Sequence, residues 1–201
     1  MKSFLSLITI LAISIILPGF SQENGWISLF DGKTLKGWKV NENPGTFTVS
    51  DGAIVVNGLR AHLFYDGKVM NHNFSDFEWK ADVMTTPGSN SGMYIHTVFL
   101  AEGWPSQGIE IQVNNSHTDW RRTGSVYALK DVREPPAKDN EWFTQHIIVK
   151  GNKITVKVND KVINEYTDTE GKLQGGTVAL QGHDPKSKVL YKNIMVREIN
   201  E

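Results

Sequence analysis

From Thr46 to Val196 the chain is a succession of short runs in which apolar and polar residues alternate, each closed by a turn. No segment sustains apolar spacing of period 3.6 over three turns. Side chains on a strand point alternately to opposite faces, so a period of two that persists without helices predicts packed antiparallel sheets. Phe77-Glu-Trp-Lys-Ala-Asp-Val83 puts Phe77, Trp79, Ala81 and Val83 on one face. Lys153–Val158 alternates again, and Asn159-Asp160 turns it into Val162-Ile163. Asp51-Gly52 joins Thr46–Ser50 to Ala53–Asn57, a strong hairpin signal. Val126–Leu129, His146–Val149, Thr177–Gln181 and Val189–Val196 complete the set. The expected fold is an all-β, two-sheet antiparallel sandwich of the jelly-roll kind. Two polar loops, Leu100–Gly108 and Asn114–Gly124, fall outside the rhythm; a third, Asp131–Glu141, carries Pro135-Pro136 and reads as a rigid connection.

The N-terminus reads differently. Lys2 precedes a nearly unbroken apolar run from Phe4 to Leu17, and Pro18-Gly19-Phe20-Ser21 then breaks it. This is the pattern of a secretory signal peptide over residues 1–21, cleaved before Gln22, and the run falls short of the roughly 20 residues of a spanning helix. Residues 22–201 are then one exported domain, periplasmic or secreted, with no stable membrane insertion. Cleavage leaves 180 residues, enough for a sizeable core. The chain has no Cys, so neither disulfides nor lipidation at Cys is open to it. Loss of Lys2 takes the formal charge from −1 to −2, which offers nucleic acid no basic field.

Gly92-Met-Tyr-Ile-His-Thr97 and Gly108-Ile-Glu-Ile-Gln-Val113 are the runs that point to a site. Alternation puts Tyr94 with His96 on one face and Glu110 with Gln112 on one face, where an ordinary half-buried strand would carry Lys, Thr or Ser. The two polar loops directly follow these strands and should rim the same face, where functional groups concentrate.

The motifs of the chain, taken in order, resemble those of the 3-keto-disaccharide hydrolase (3-keto-glycoside hydrolase/lyase) family, formerly known as domain of unknown function 1080. They are Leu29-Phe-Asp-Gly-Lys-Thr-Leu-Lys-Gly-Trp38, Asn90-Ser-Gly-Met93, Gly108-Ile-Glu-Ile-Gln112, Gly124-Ser-Val-Tyr127, Glu141-Trp142, Gly151-Asn152 with Val158-Asn159, Leu180-Gln-Gly-His183 and Tyr191-Lys-Asn-Ile194. The resemblance runs from about Trp26 to Ile199 and implies a concanavalin A-like jelly roll. Two positions depart from it: His96 stands where many members carry Arg, and Asn114 where many carry Asp.

An ordinary glycosidase needs two carboxylates flanking the scissile bond. Here Glu110 is the one carboxylate at a strand position of the polar face, with Asp119 in the loop beyond. A 3-keto sugar, the substrate class the resemblance implies, relaxes that need. The ketone acidifies the C2 proton, a base removes it, the aglycone leaves C1, and water can then add to the unsaturated product. On this reading Glu110 or His96 is the base, and His183 or Tyr127 the proton donor or orienting group. Gln112, Asn90 and Gln181 bind sugar hydroxyls, Tyr94 shares their face, and Trp104 or Trp120 stacks on a ring. A divalent metal ion on His96, Glu110 and His183 is an alternative enolate stabiliser. The resemblance also implies an oxidoreductase that supplies the 3-keto group.

His62, His72, His117 and His146 have weaker claims, and His146 reads as structural. Trp79 and Trp142 read as core, while Trp26 and Trp38 should pin the N-terminal segment. The rival functions are a carbohydrate-binding module, which needs no convergence of His and Glu, and a non-catalytic interaction domain, which needs an exposed apolar patch instead of a pocket.

Overall fold

A computed structural model of the chain describes residues 25–200; the signal-like run and its cleavage point lie outside the described residues. Thirteen strands form among them: β1 (Ile27–Ser28), β2 (Trp38–Val40), β3 (Phe47–Ser50), β4 (Ala53–Val56), β5 (Ala61–Tyr65), β6 (Phe77–Thr85) and β7 (Ser91–Thr97), then β8 (Ile109–Val113), β9 (Phe143–Lys150), β10 (Lys153–Val158), β11 (Lys161–Thr167), β12 (Thr177–Gly182) and β13 (Val189–Glu198). They build two antiparallel sheets. One has the order β11-β10-β9-β6-β13-β4-β3 with β1 added against β13; the other is β2-β5-β12-β7-β8.

The expected alternation is realised in β6, where every odd residue from Phe77 to Thr85 is buried and every even one half-buried. Trp79, Tyr191, Phe77, Ile54, Leu63, Met93, Ile111 and Ile147 fill the space between the sheets at 2% exposure or less. Trp38 is buried and its indole N–H donates to the Leu29 carbonyl at 2.7 Å, which fastens the opening segment as expected. Trp26 packs edge-on to His146, whose Nε2 meets Glu78 at 2.7 Å, so His146 is structural.

Three expectations need correction. Val126–Leu129 is no strand; Val126 makes isolated bridges to Ile111 and Lys130 across a tight turn with Ala128 at φ 58°. Trp142 is 39% exposed just before β9, with the Lys192 ammonium 4.0 Å from its ring centroid, and is not core. Strand β5 gave no signal because Ala61-His-Leu-Phe-Tyr65 is buried at every position, and a strand covered on both faces does not alternate.

The two sheets differ in their outer faces. Strands β5, β7 and β12 are buried at every residue, so the five-stranded sheet is covered on its outer side as well. Phe64, Tyr94 and Ala179 form a separate small apolar cluster there. The covering comes from the two polar loops of the sequence, Leu100–Gly108 and Asn114–Gly124, together with the turn at 127–129 and the β11–β12 connection.

Candidate active site

Register across the five-stranded sheet brings the polar residues together. Tyr94 of β7 stands opposite Glu110 of β8, and Gly92 opposite Gln112. On β12, Gln181 faces His62 of β5. Tyr94 Oη donates to Glu110 Oε2 at 2.8 Å, and Gln181 Nε2 donates to Glu110 Oε1 at 3.1 Å. Gln112 Nε2 donates to Asn90 Oδ1 at 2.6 Å. The amide oxygens of the two glutamines, Gln112 Oε1 and Gln181 Oε1, are buried without a protein partner and remain as acceptors for a bound hydroxyl.

A cavity of about 950 Å³ lies over this face, lined by Asn90, Tyr94, Trp104, Glu110, Gln112, Asp119, Tyr127, Gln181 and His183 among others. Glycine is required at position 92, because a Cβ there would collide with the Glu110 carboxylate. Burial drives the Glu110 carboxyl up to about 7, although the hydrogen bonds from Tyr94 and Gln181 pull the other way. Burial and the adjoining Glu110 carboxylate raise the Tyr94 phenol, which stays a neutral donor. Asp119 is already engaged: its Oδ1 accepts from the Arg121 amide at 3.0 Å and meets that guanidinium at 3.6 Å.

On the opposite rim His183 follows directly from β12. Its Nδ1 lies 2.8 Å from Asp184 Oδ2, so Nδ1 carries the hydrogen and Nε2 is left as the basic nitrogen. Burial acts to raise the Asp184 carboxyl, but hydrogen bonds from His183, Ser187 and the Lys186 amide outweigh it and hold it down to about 2. His117 joins from the 114–131 segment, its ring centroid 5.5 Å from that of His183.

His117, His183 and Asp184 also have ligand atoms within 4.8 Å of one another, a spacing that could hold a cation. The carboxylate is engaged by three donors, however, and His117 Nδ1 already accepts from the Asp119 amide at 3.0 Å. The ligand set expected from sequence, with His96 and Glu110, is not assembled.

His96 is the main displacement from expectation. Between Thr97↔Thr177 and Tyr94↔Ala179 strand β7 holds one more residue than β12, a β-bulge, and His96 within it has φ 51°. The extra residue breaks the period of two. The His96 ring lies 5.7 Å from Phe77 of the other sheet, and its Nε2 is 3.0 Å from the Ser75 carbonyl. It does not line the cavity. Trp120 is also outside it, 41% exposed, with the Arg133 guanidinium 4.2 Å from its ring centroid.

Asp184 and His117 stand beside His183 at this rim, and neither carried a strong signal in the sequence. The Gly-His-Asp-Pro turn was visible, but a turn composition does not say that its His and Asp bond to each other. Glu170 and Lys172 of the β11–β12 connection, an ion pair of 2.9 Å, also reach the cavity and carried no signal.

Comparison with known proteins gives the site a context. A profile of the 3-keto-alpha-glucoside-1,2-lyase-like domain matches residues 25–197. A curated relative, a 3-keto-disaccharide hydrolase of Bacteroides thetaiotaomicron, is 28% identical over 174 residues, 71% of this chain; the match spans 59% of the relative's own length. A crystal structure of a candidate glycosyl hydrolase from Parabacteroides distasonis superposes with a TM-score of 0.74 at 21% identity, covering 88% of this chain and 95% of that one. The carbohydrate-binding module CBM66 of Bacillus subtilis superposes at 0.62 with 11% identity, covering 81% and 96%. At these identities the structural likenesses speak for the fold alone.

Proposed function

This chain belongs to the 3-keto-alpha-glucoside-1,2-lyase-like domain family, and from that premise we propose that it cleaves 3-keto-glycosides by elimination. Glu110 takes the C2 proton. The electrons of that C–H bond form the C1=C2 double bond, conjugated with the C3 ketone, and the aglycone departs from C1 with the C1–O pair. His183, oriented by Asp184, gives a proton to the departing oxygen, with Tyr127 next to the path. Addition of water at C1 and of a proton at C2 completes a net hydrolysis.

The observation that carries this reading is the state of Glu110: a carboxyl held by Tyr94 and Gln181, open to the cavity, and brought by burial to about 7, where a general base works best. The other carboxylates lining the cavity, Asp119 and Glu170, are each paired with a cation, Arg121 and Lys172. Gln112, Asn90, Gln181 and Trp104 hold the sugar. A divalent ion at His117, His183 and Asp184 is the second reading, favoured by their mutual spacing.

Export by the N-terminal run, and a partner oxidoreductase that makes the ketone, belong to the same proposal. N-terminal sequencing of the native protein tests the first, with Gln22 the expected first residue. The function itself is tested with a chromogenic 3-keto-glucoside beside its unoxidised parent, each with and without chelator. Release from the keto form alone is expected. Loss of release with chelator selects the metal reading, and binding without release selects a sugar-binding module.

A further inference from the structure

His62 of β5, beside the central strand β12, sits on the outer face of the five-stranded sheet and is unexplained by the site described above. It has no exposed surface, and neither ring nitrogen has a hydrogen-bond partner. Its neighbours are rings: Tyr94 at 5.4 Å, Trp104 at 5.5 Å and Phe64 at 6.1 Å between centroids. A buried polar group without a partner destabilises the fold, and an apolar residue of similar shape would avoid that cost. Burial drives the imidazole down to about 4, so it is neutral at ordinary pH, with one donor and one acceptor nitrogen.

The neighbouring groups extend the sugar-binding row. His62 is the cross-strand partner of Gln181, whose Oε1 is likewise unpartnered, and Asn41, which caps the His62 amide through Oδ1 at 2.7 Å, has a buried Nδ2 without a partner. What closes the space over His62 is Trp104, a 45% exposed indole on the 98–108 loop. Between Gly103 (φ 88°) and Pro105, it lies 5.6 Å from His183 on its other side. At its tip that loop is fastened by Glu42 Oε1, which accepts from the Gly103 amide at 3.0 Å and from Arg60 Nε at 3.0 Å, while Phe99 against Phe64 and Gln107 Nε2, donating to the His96 and Gly175 carbonyls, hold its two ends.

We propose that His62 belongs to a second sugar subsite, covered by Trp104 in the free protein, where its ring hydrogen-bonds a hydroxyl of the saccharide unit next to the keto ring. The proposal rests on the reading of this cavity as a 3-keto-glycoside site. Tyr94 and Gln181, which hold the Glu110 carboxylate, come from the two strands between β8 and β5, so His62 lies on their far side from Glu110. A ring whose C2 lies at Glu110 therefore leaves His62 for its neighbour. Trp104 moves from its place over His62 to stack on the incoming ring, and the unpartnered nitrogens are satisfied only then.

The test compares two substrates that share the keto ring: 3-ketotrehalose, which carries a second glucose, and 4-nitrophenyl 3-keto-α-D-glucoside, which does not. His62→Phe, and His62→Leu in case the larger ring overfills the space, should raise KM for 3-ketotrehalose tenfold or more. KM for the nitrophenyl glucoside should move less than twofold and the melting temperature should stay or rise. Equal changes for both substrates, no change for either, or a fall in melting temperature in both variants would overturn the subsite. An arm independent of turnover uses diethyl pyrocarbonate: His62 should be unreactive in the wild type, reactive in Trp104→Ala, and protected there by trehalose. Absence of labelling in Trp104→Ala, or of protection, also overturns it. Wild-type inactivity on both keto substrates counts instead against the proposed function, and the labelling result then decides the subsite by itself.

Discussion

Glu110 has an unusual position for a carboxylate on a strand: its aliphatic stem crosses the bare backbone of Gly92, and its two oxygens are each held by a different strand. Because the folded protein holds this proton up to about 7 and the unfolded chain releases it near 4.5, the folded state binds more protons between those values. Stability from this group is thus full below the unfolded value and falls as pH rises to about 7, by about 3 kcal/mol. Glu110→Gln should lose turnover by a factor of about 10²–10⁴, and its melting temperature should depend less on pH in that window and exceed the wild type at pH 8. Thermal scans from pH 4 to pH 8 check this; parallel curves for the two proteins would refute the buried carboxyl. In the wild type, a base at Glu110 makes kcat/KM rise with pH through about 7. Gly92→Ala should cost about 1–3 kcal/mol by overpacking and lower turnover tenfold or more by pushing the carboxylate aside, measured as melting temperature and kcat together.

At the scale of the element, the bulge in β7 decides which of two plausible histidines reaches the cavity. One extra residue against β12 moves His96 to the Phe77 side, while Tyr94, two positions before, keeps its place over the cavity. His96→Ala should therefore leave turnover within about threefold of wild type and destabilise the fold by about 1–3 kcal/mol, through loss of the Ser75 contact and of packing. A steady-state assay with a chemical denaturation curve checks both halves. Abolished turnover at unchanged stability would return His96 to the site. Strands β6 and β10 form where alternation places them because each has one face on the core and one towards solvent. Strand β5 was silent for the opposite reason, and with it His62.

At the largest scale, the described residues form one layer of core between a sheet that faces solvent and a sheet that bears the cavity on its far side. Ile111, fully buried, lies on the core face of the strand that presents Glu110 and Gln112 to the cavity. Ile111→Ala should cost about 2–5 kcal/mol, with kcat retained per folded molecule, as denaturation and active-site titration would show. Uncoupled loss of activity in a fully folded variant would mean that the core positions Glu110 more directly than packing alone. Among the described residues no helix is long and apolar enough to cross a membrane. The sequence alone determined the all-β sandwich, the hairpin at Asp51-Gly52, the two loops over one face and the pairing of Glu110 with Gln112, because periodicity and turn chemistry are local. It also carried the family resemblance in the order of its motifs. Tertiary structure alone decided that His183 bonds Asp184, that His96 turns away and that His62 lies under Trp104. Each depends on register between distant strands or on a single inserted residue, and a period-two reading of one strand contains neither.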